Sequence, residues 1–441
     1  MDTEELHLPL SRTANERLHA MIPGGAHTYA KGDDQYPDNL APVISHGSGA
    51  HVWDIDGNRY IEYGSGLRSV SLGHAHPRVI EAVRRELDRG CNFVRPSIVE
   101  VAAAERFLAT VPTAEMVKFA KNGSDATTAA VRLARAATGR TRVAICADHP
   151  FFSVDDWFIG TTPMSAGIPA ETNELTVTFP YGDLAATEEL LNRYPGDVAC
   201  LILEPAAQTE PPPGYLAGLR ELADRYGCVL VFDEMITGLR WSEAGAQGLY
   251  GVVPDLSTFG KALGNGFAVS ALAGRRELME MGGLRHSGER VFLLSTTHGA
   301  ETHSLAASMA VLTTYAEEGI TARLHALGER LAAGVREAAA TMGVGDHVVV
   351  RGRASNLVFA TLDEKGQPSQ EYRTLFLRRL LAGGVLAPSF VVSSALDEAD
   401  IDRTVDVVAQ ACAVYRKALD AGDPGPWVAG RPVKPVFRRE V

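Results

Sequence analysis

Two ionisable residues, Asp233 and Lys261, each follow a short strand-like run in this sequence. Asp233 comes directly after residues 229–232, an unbroken apolar segment typical of a strand buried on both faces of a parallel sheet. Lys261 comes two residues after a second strand-like run, residues 256–259. Parallel sheets bind ligands outside the carboxyl ends of their strands, so both side chains are placed where chemistry can occur.

A lysine and an aspartate in these positions match the needs of one cofactor, pyridoxal 5'-phosphate. The lysine amine can form a Schiff base with the cofactor, and the acid can hold the pyridinium nitrogen. Each residue has a plainer role when taken alone. Asp233 could cap a helix or bind a metal or a ribose, and Lys261 could simply be solvated. The order and context of the pair favour the cofactor.

A third segment, residues 121–127, follows an apolar run and opens a helix. Gly123 and Ser124 would place backbone amides and a hydroxyl at the helix N-terminus, where the helix dipole favours an anion such as a cofactor phosphate. The same residues could serve only as a helix cap. Together with Asp233 and Lys261, they predict a phosphate cup.

The composition describes a globular protein with a large core. The chain has 441 residues, of which 46% are hydrophobic and 22% charged, and a net charge of −12. This length predicts two or three subdomains. An acidic chain without a basic cluster gives no support for nucleic-acid or membrane binding. Small molecules and a second copy of the chain are the expected partners.

The five cysteines are scattered, with no CxxC pair and no metal-ligand spacing. Cys200 and Cys228 lie in or beside apolar runs, which predicts buried hydrophobic roles. A turn role is favoured over a metal role for His74 and His76, so no metal site is expected. The N-terminus is acidic and no run of about 18 apolar residues occurs, which predicts a cytoplasmic protein.

The order of the elements predicts an α/β fold. Residues 51–63 alternate about an Asp56-Gly57-Asn58 turn and predict a hairpin. Short apolar runs and helical patterns then alternate to about residue 275, which predicts a doubly wound sheet. A long helical stretch at 310–342 precedes further short strands. We expect an N-terminal arm and hairpin at 1–75, a large domain at 76–310 and a small α+β domain at 311–441.

Residues 232–240 (FDEMITGLR) and 259–266 (FGKALGNG) resemble two hallmark motifs of the class III, fold-type I pyridoxal-phosphate aminotransferases. The similarity is greatest to the glutamate-1-semialdehyde aminomutase branch. It implies a mostly parallel seven-stranded sheet with helices on both faces. It also implies a smaller α+β domain built from N- and C-terminal segments.

The resemblance implies a role for each candidate site residue. Lys261 would hold the cofactor and Asp233 would contact the ring nitrogen. The family's usual phosphate segment is NSGTEA, from which Lys121 departs. The remaining cofactor contacts implied are the phosphate ligands Gly123 and Ser124, the ring platform Phe151, the opposite face Met235, the nearby carboxylate Glu204 and the phosphate-binding Thr297.

Thr297, with Thr296 nearly as good a match, would reach the phosphate of the neighbouring subunit. The resemblance therefore implies a homodimer with its active site at the interface.

The implied reaction moves an amino group from an amino-acid donor to an aldehyde or ketone acceptor. Lys31 stands where a true aminomutase has an arginine, and a lysine cannot grip a carboxylate bidentately. Arg68 lies in a loop that lacks the family's tryptophan, and Tyr29 lies near Lys31. With these changes the chain is more similar to the aminomutase-like enzymes that aminate sugars or cyclic ketones, and this resemblance implies a sugar-like or cyclic acceptor in a biosynthetic pathway. A glutamate-1-semialdehyde 2,1-aminomutase and a non-catalytic cofactor-binding relative are the alternatives.

Overall fold

The computed structural model describes residues 6–149 and 151–439. The chain divides into two compact units. The larger unit comprises Pro77–Thr321. The smaller unit combines residues up to His76 with Ala322–Arg438.

The strands and α-helices of the two units are given together, in chain order. The strands are β1 (Ile44–Ser48), β2 (His51–Asp54), β3 (Arg59–Glu62), β4 (Met116–Ala120), β5 (Arg142–Cys146), β6 (Thr176–Phe179), β7 (Val198–Leu203), β8 (Val229–Asp233), β9 (Leu256–Phe259), β10 (Ser270–Gly274), β11 (Val348–Arg351), β12 (Val358–Thr361) and β13 (Val385–Leu386). The α-helices are α1 (Pro9–Met21), α2 (Ser65–Arg68), α3 (Pro77–Leu87), α4 (Ile98–Thr110), α5 (Gly123–Thr138), α6 (Asp156–Ile159), α7 (Ala170–Glu174), α8 (Leu184–Arg193), α9 (Tyr215–Tyr226), α10 (Gly245–Tyr250), α11 (Arg276–Met279), α12 (Thr302–Glu318), α13 (Ile320–Thr341), α14 (Gln370–Ala382), α15 (Glu398–Ala421) and α16 (Gly425–Val428).

The larger unit is built on a seven-stranded sheet with the strand order β4-β10-β9-β8-β7-β5-β6. Neighbouring strands from β9 to β6 run parallel, and β10 is antiparallel to both β9 and β4. Every residue of β7 and β8 is buried, as expected of central parallel strands. Two apolar clusters of helix and strand side chains form the core. The predicted α/β fold class is confirmed.

The structure differs from the sequence prediction at two places. The strand β10 has the sequence Ser-Ala-Leu-Ala-Gly, whose small residues carry little strand signal. The helical stretch expected at 310–342 is two helices, and the first begins at Thr302. Gly319 ends that first helix with a left-handed φ of 61°, a conformation that glycine adopts without steric cost.

The smaller unit contains a four-stranded sheet of order β1-β2-β3-β13 and a two-stranded sheet of β11 and β12. The predicted hairpin is present as β2 and β3. Val385 and Leu386 of β13 pair in parallel with Ile61 and Glu62 of β3. This pairing joins the N- and C-terminal segments into one unit, as the resemblance implied.

All five cysteines are free thiols. Cys200 and Cys228 lie in the apolar core of the larger unit, which confirms their predicted burial. Burial raises the pKa of the Cys200 thiol to about 12. Among the described residues, no helix combines the length and the apolar character that crossing a membrane requires.

Candidate active site

The Asp233 carboxylate ends β8 and is held from two sides. Its Oδ1 accepts hydrogen bonds from the Met235 backbone amide and from the Thr258 hydroxyl, each at 3.0 Å. Thr258 can reach it because β8 and β9 run parallel with Asp233 opposite Thr258. Only 2% of Asp233 is exposed. The sheet therefore fixes the carboxylate in one orientation at its ligand-binding edge.

Burial raises the pKa of Asp233 from its ordinary 3.8 to about 6. The positive charge of Lys261 acts in the opposite direction, and so do the two hydrogen bonds that the carboxylate accepts. The Lys261 ammonium therefore lies close enough to Asp233 to influence its ionisation. The structure thus brings together the two residues that the sequence proposed as a pair.

Lys261 begins a short 3-10 turn, Lys261–Gly264, directly after β9 and Gly260. Its φ of 46° lies in the left-handed region, which residues with a side chain seldom adopt. Backbone strain of this kind persists only where the surrounding structure enforces it, and it is concentrated at functional sites. This conformation marks Lys261 as a residue whose placement the fold constrains.

Met235 packs between two glycines from different parts of the chain. A Cβ atom at Gly260 would lie 2.6 Å from the Met235 sulfur, and one at Gly123 would lie 3.0 Å from it. A side chain at either position would therefore require the Met235 thioether to shift. The buried Met235 side chain connects the end of β9 with the start of α5, so Asp233, Met235, Gly123 and Lys261 are grouped at one place.

The helix α5 begins at Gly123, and Ser124 occupies its first turn. The first amides of a helix have no acceptor within the helix, and the dipole makes that end positive. The Ser124 hydroxyl is buried and accepts a hydrogen bond from the Val154 amide at 3.0 Å. Asp125 accepts from the Asn122 amide at 2.9 Å. The backbone amides of Gly123 and Ser124 remain the candidate hydrogen-bond donors to a bound anion.

The structure explains why Lys121 departs from the resembled motif. Its ammonium forms an ion pair with Glu301, the residue that precedes α12. It also donates a hydrogen bond to the Ser304 hydroxyl at 3.1 Å. The hydrogen bond from Lys121 lowers the pKa of Glu301. Lys121 therefore joins the start of α5 to the start of α12.

The two neighbouring phenylalanines have different environments. Phe152 is 2% exposed and lies in the apolar core, and its carbonyl accepts a hydrogen bond from Thr127 at 2.8 Å. Phe151 is 41% exposed and contacts Phe158 edge to face, with 5.6 Å between ring centroids. Phe151 is therefore the ring of this pair that can face a ligand.

Glu204 follows β7 at the same sheet edge and is 5% exposed. Its backbone amide donates a hydrogen bond to Nδ1 of His149 at 3.0 Å. Burial lowers the pKa of His149 to about 4, so this imidazole is neutral at pH 7.

Two residues of this region, His149 and Thr258, were not predicted from the sequence. His149 follows β5 at the same edge of the sheet as Glu204 and Asp233. Its position shortly after an apolar strand was the only sequence signal available. Thr258 lay inside a predicted strand, where its contact with Asp233 depends on the pairing of two distant segments.

Thr296 and Thr297 lie on an exposed turn ahead of α12. The carbonyl oxygen of Thr297 accepts a hydrogen bond from the Asn92 side chain at 3.2 Å. The Thr302 amide donates to the Cys91 carbonyl at 3.0 Å. The turn is therefore attached to residues 91 and 92, and both threonines are accessible from outside this chain.

The three substrate candidates belong to the smaller unit. Tyr29 and Lys31 share one 3-10 turn, and 60% of Tyr29 is exposed. Arg68 has a left-handed φ of 73°, and its Nε donates a hydrogen bond to Asn356 Oδ1 at 2.9 Å. Their substrate roles stay a prediction.

The residues present fit pyridoxal phosphate. Both of these hydrogen bonds to Asp233 are accepted by Oδ1, so Oδ2 can accept a hydrogen bond from a ring N–H. Lys261 supplies an amine at the same strand edge, and the first turn of α5 supplies amides for a phosphate. Met235 provides an apolar surface beside both glycines.

The comparison with known proteins agrees with this geometry. The model of the class III aminotransferase family matches residues 33–391. A glutamate-1-semialdehyde 2,1-aminomutase from Roseiflexus castenholzii is 35% identical over 401 residues, which cover 86% of this chain and 92% of the relative.

Two solved structures extend the similarity to the fold. An omega-transaminase from Sphaerobacter thermophilus has a TM-score of 0.82 and 27% identity, covering 91% of this chain and 97% of its own. The FumI protein of Sphingopyxis sp. MTA144, solved in its PLP internal aldimine form, has a TM-score of 0.85 and 25% identity, covering 95% and 99%. The chain therefore belongs to the class III aminotransferases, and its cofactor is pyridoxal phosphate.

Proposed function

We propose that this enzyme moves an amino group from an amino-acid donor to an aldehyde or ketone acceptor, with Lys261 and Asp233 acting directly on the cofactor. The observation that carries this proposal is the placement of the two residues at adjoining strand ends, where Lys261 influences the pKa of buried Asp233. The acceptor is sugar-like or cyclic and belongs to a biosynthetic pathway.

Bound pyridoxal phosphate supplies a positively charged ring that stabilises the electron pair left when a proton leaves the amine-bearing carbon. The Asp233 carboxylate, fixed by Thr258 and the Met235 amide, keeps the proton on the ring nitrogen. The Lys261 amine anchors the cofactor covalently. When free, the Lys261 amine would be the base that takes a proton from the amine-bearing carbon and the acid that returns a proton.

The other residues position the cofactor. The amides of Gly123 and Ser124 hold the phosphate at the positive end of α5. Phe151, which is exposed, and Met235, which packs beside Gly260, would hold the two faces of the ring. Glu204 lies at the border of the site, where the neutral His149 ring holds its backbone.

Lys31 and Arg68 support intermolecular transfer. A lysine gives a single point charge where a carboxylate-gripping arginine is expected of a mutase, and Arg68 adds a cation to a loop without tryptophan. The second candidate is a glutamate-1-semialdehyde 2,1-aminomutase, which the 35% identity to the Roseiflexus protein favours. The two differ in whether turnover requires a separate amino donor.

We further propose that the enzyme is a homodimer in which Thr297 reaches the phosphate of the neighbouring subunit. The exposed surface of the larger unit supports this assembly. Val94 is fully exposed, and Phe93, Ile98 and Phe292 are 52%, 72% and 67% exposed. Large apolar side chains left in water are typical of an interaction surface. Phe93 and Val94 directly follow Asn92, which is bonded to Thr297.

The test begins with the purified enzyme and sodium borohydride. Reduction followed by peptide mapping should find the cofactor attached at Lys261 and at no other lysine. An unmodified Lys261 would overturn the proposal. The enzyme is then loaded with pyridoxamine phosphate and screened with candidate aldehydes and ketones.

The screen separates the three functions. Return of the absorbance of lysine-bound cofactor identifies an acceptor. Turnover that needs an added amino donor supports the transferase, and turnover of glutamate 1-semialdehyde alone supports the mutase. A spectrum that no amine or carbonyl compound changes would instead indicate a protein that binds the cofactor without catalysis.

A further inference from the structure

The smaller unit contains a cavity of about 290 Å³ with an unusual set of charges. Three basic side chains line it, those of Arg68, Arg373 and Lys434, and its lining contains no aspartate or glutamate. The chain as a whole carries a net charge of −12. A concentration of positive charge in an acidic protein calls for a specific explanation.

Arg373 is the central feature of this cavity. It projects from α14, and its guanidinium lies 4.8 Å from the centroid of the Phe359 ring on β12. Its Nη2 donates a hydrogen bond to the Pro388 carbonyl oxygen at 2.7 Å. A guanidinium has five N–H donors. Among the described residues no carboxylate forms an ion pair with Arg373, so donors remain for a ligand.

The surroundings of Arg373 make this arrangement costly without a ligand. Arg373 is partly buried, and this burial lowers the pKa of its guanidinium. A desolvated charge is stabilised when an anion pairs with it. The nearby acids are engaged elsewhere, since Asp34 pairs with Arg438 at 2.6 Å and Glu62 with His74 at 3.2 Å.

The rest of the lining suits the body of an organic molecule. Leu67, Val358, Phe359 and Val433 contribute apolar surface, and Ser389 contributes a hydroxyl. Lys434 approaches from the C-terminal segment, where its amide donates to the Asp34 carbonyl at 3.0 Å. Arg68 is already oriented by Asn356. Ligand sites commonly combine apolar walls with a few polar groups in this way.

We propose that this cavity binds a small organic anion, a carboxylate or phosphate on an apolar stem, with the anionic group between Arg373 and Lys434 and the stem against Phe359. Arg68 lines this cavity and is also a substrate candidate of the proposed amino transfer, but the anion contacts proposed here are those of Arg373 and Lys434, to which that function assigns no role. Its existence can be tested without cofactor chemistry or turnover.

Isothermal titration calorimetry on the holoenzyme should use 3-bromobenzoate, 3-bromophenyl phosphate and neutral 3-bromobenzyl alcohol. At least one anion should bind at least about tenfold more tightly than the alcohol, because a charged hydrogen bond is added. The stronger of the two anions identifies the group that the site prefers. Equal binding of all three compounds would overturn the proposal.

Variants connect that binding to the cavity. Arg373→Met should weaken binding of the preferred anion at least about tenfold, and Arg373→Lys should weaken it less because the charge is kept. Lys434→Met provides a second test that leaves α14 untouched. Arg403→Met is the matched control, since Arg403 also donates to a backbone carbonyl, that of Gly383, but does not line the cavity.

The bromine atom then locates the ligand in crystals of the holoenzyme. The proposal requires an anomalous peak beside Phe359 and Arg373. A peak found only near Lys261, or unchanged affinity in both the Arg373→Met and Lys434→Met variants, would refute it. If Arg373→Met does not fold, the Arg373→Lys and Lys434→Met titrations and the crystal decide the question.

Discussion

The hydroxyl of Thr258 donates a hydrogen bond to Oδ1 of Asp233 over 3.0 Å, across the parallel pairing of β9 and β8. Lys261 follows Thr258 closely along the same segment. The strand that delivers the lysine therefore also orients the carboxylate, so an error in the pairing of these two strands would displace both groups at once.

Replacing Thr258 with valine should weaken cofactor binding. Valine keeps the shape but removes a donor to a buried carboxylate, at a cost of about 1.5–3 kcal/mol. The pKa of Asp233 should rise further, because a hydrogen bond that favours its ionised form is lost. Equilibrium titration of the apoenzyme with pyridoxal phosphate should show a loss of affinity of at least about tenfold. The control Thr361→Val removes a similar buried hydroxyl from the smaller unit and should leave the affinity unchanged.

Replacing Gly260 with alanine tests the packing of Met235. The φ of Gly260 is −179°, which any residue adopts, so alanine adds volume without backbone strain. Its Cβ would meet the Met235 sulfur at 2.6 Å, and overpacking of this kind costs about 1–3 kcal/mol. Thermal unfolding should show a lower melting temperature, and cofactor titration should show a lower affinity.

Gly260→Ala should cost less when it is introduced into a Met235→Ala variant than into the wild-type protein, because the clashing sulfur is gone. Gly345→Ala is the control, since a Cβ there meets only Ala340 at 3.6 Å. An equal cost of Gly260→Ala in the two backgrounds would show that the contact with Met235 is not the reason for glycine at position 260.

The ion pair of Lys121 and Glu301 should contribute about 1 kcal/mol to stability, a contribution that salt reduces. Lys121 lowers the pKa of Glu301, so this contribution is present above pH 4.5 and is lost as the pH falls through the lowered value. Lys121→Met should therefore reduce the free energy of unfolding at pH 7. The reduction should be smaller in acid, where Glu301 is protonated in both proteins. Arg193→Met removes an exposed helical pair with Glu189 and should change little. An equal loss in the two variants would contradict the prediction.

The raised pKa of Asp233 should give two pH dependences of opposite sign, one of folding stability and one of cofactor affinity. In the apoenzyme its pKa is raised from 3.8 to about 6. The native state therefore binds this proton more tightly than the unfolded state does. The stability that the tighter binding contributes is complete below about pH 4 and is lost as the pH rises through 6. Cofactor binding needs the ionised carboxylate, so affinity should instead increase about tenfold per pH unit up to about pH 6. Asp233→Asn should flatten both profiles across this range. Profiles that the variant does not change would show that Asp233 is not the titrating group.

The sequence predicted those parts of the site that depend on local pattern. Asp233 and Lys261 were found because each follows a strand signal, and the start of α5 was found because Gly123 and Ser124 open a helical pattern. The bond from Thr258 to Asp233 could not be predicted from local pattern, since it requires the register of two strands. The pair of Lys121 and Glu301 joins segments far apart in the chain, and no local pattern encodes such a contact.

Subunit complementation tests whether Thr297 acts across a dimer interface. Lys261→Ala and Thr297→Ala homodimers should each have little activity. In a mixed dimer, the Thr297→Ala subunit supplies an intact Lys261 and the Lys261→Ala subunit supplies an intact Thr297, so one complete site forms only if Thr297 acts in trans. Activity should therefore reappear on mixing after reversible dissociation. Val94→Glu places a charge on the fully exposed apolar residue and should shift the protein to monomers in light scattering. A mixed dimer that stays inactive would show that Thr297 serves its own subunit, whereas a Thr297→Ala homodimer that keeps its activity would assign the phosphate contact to Thr296.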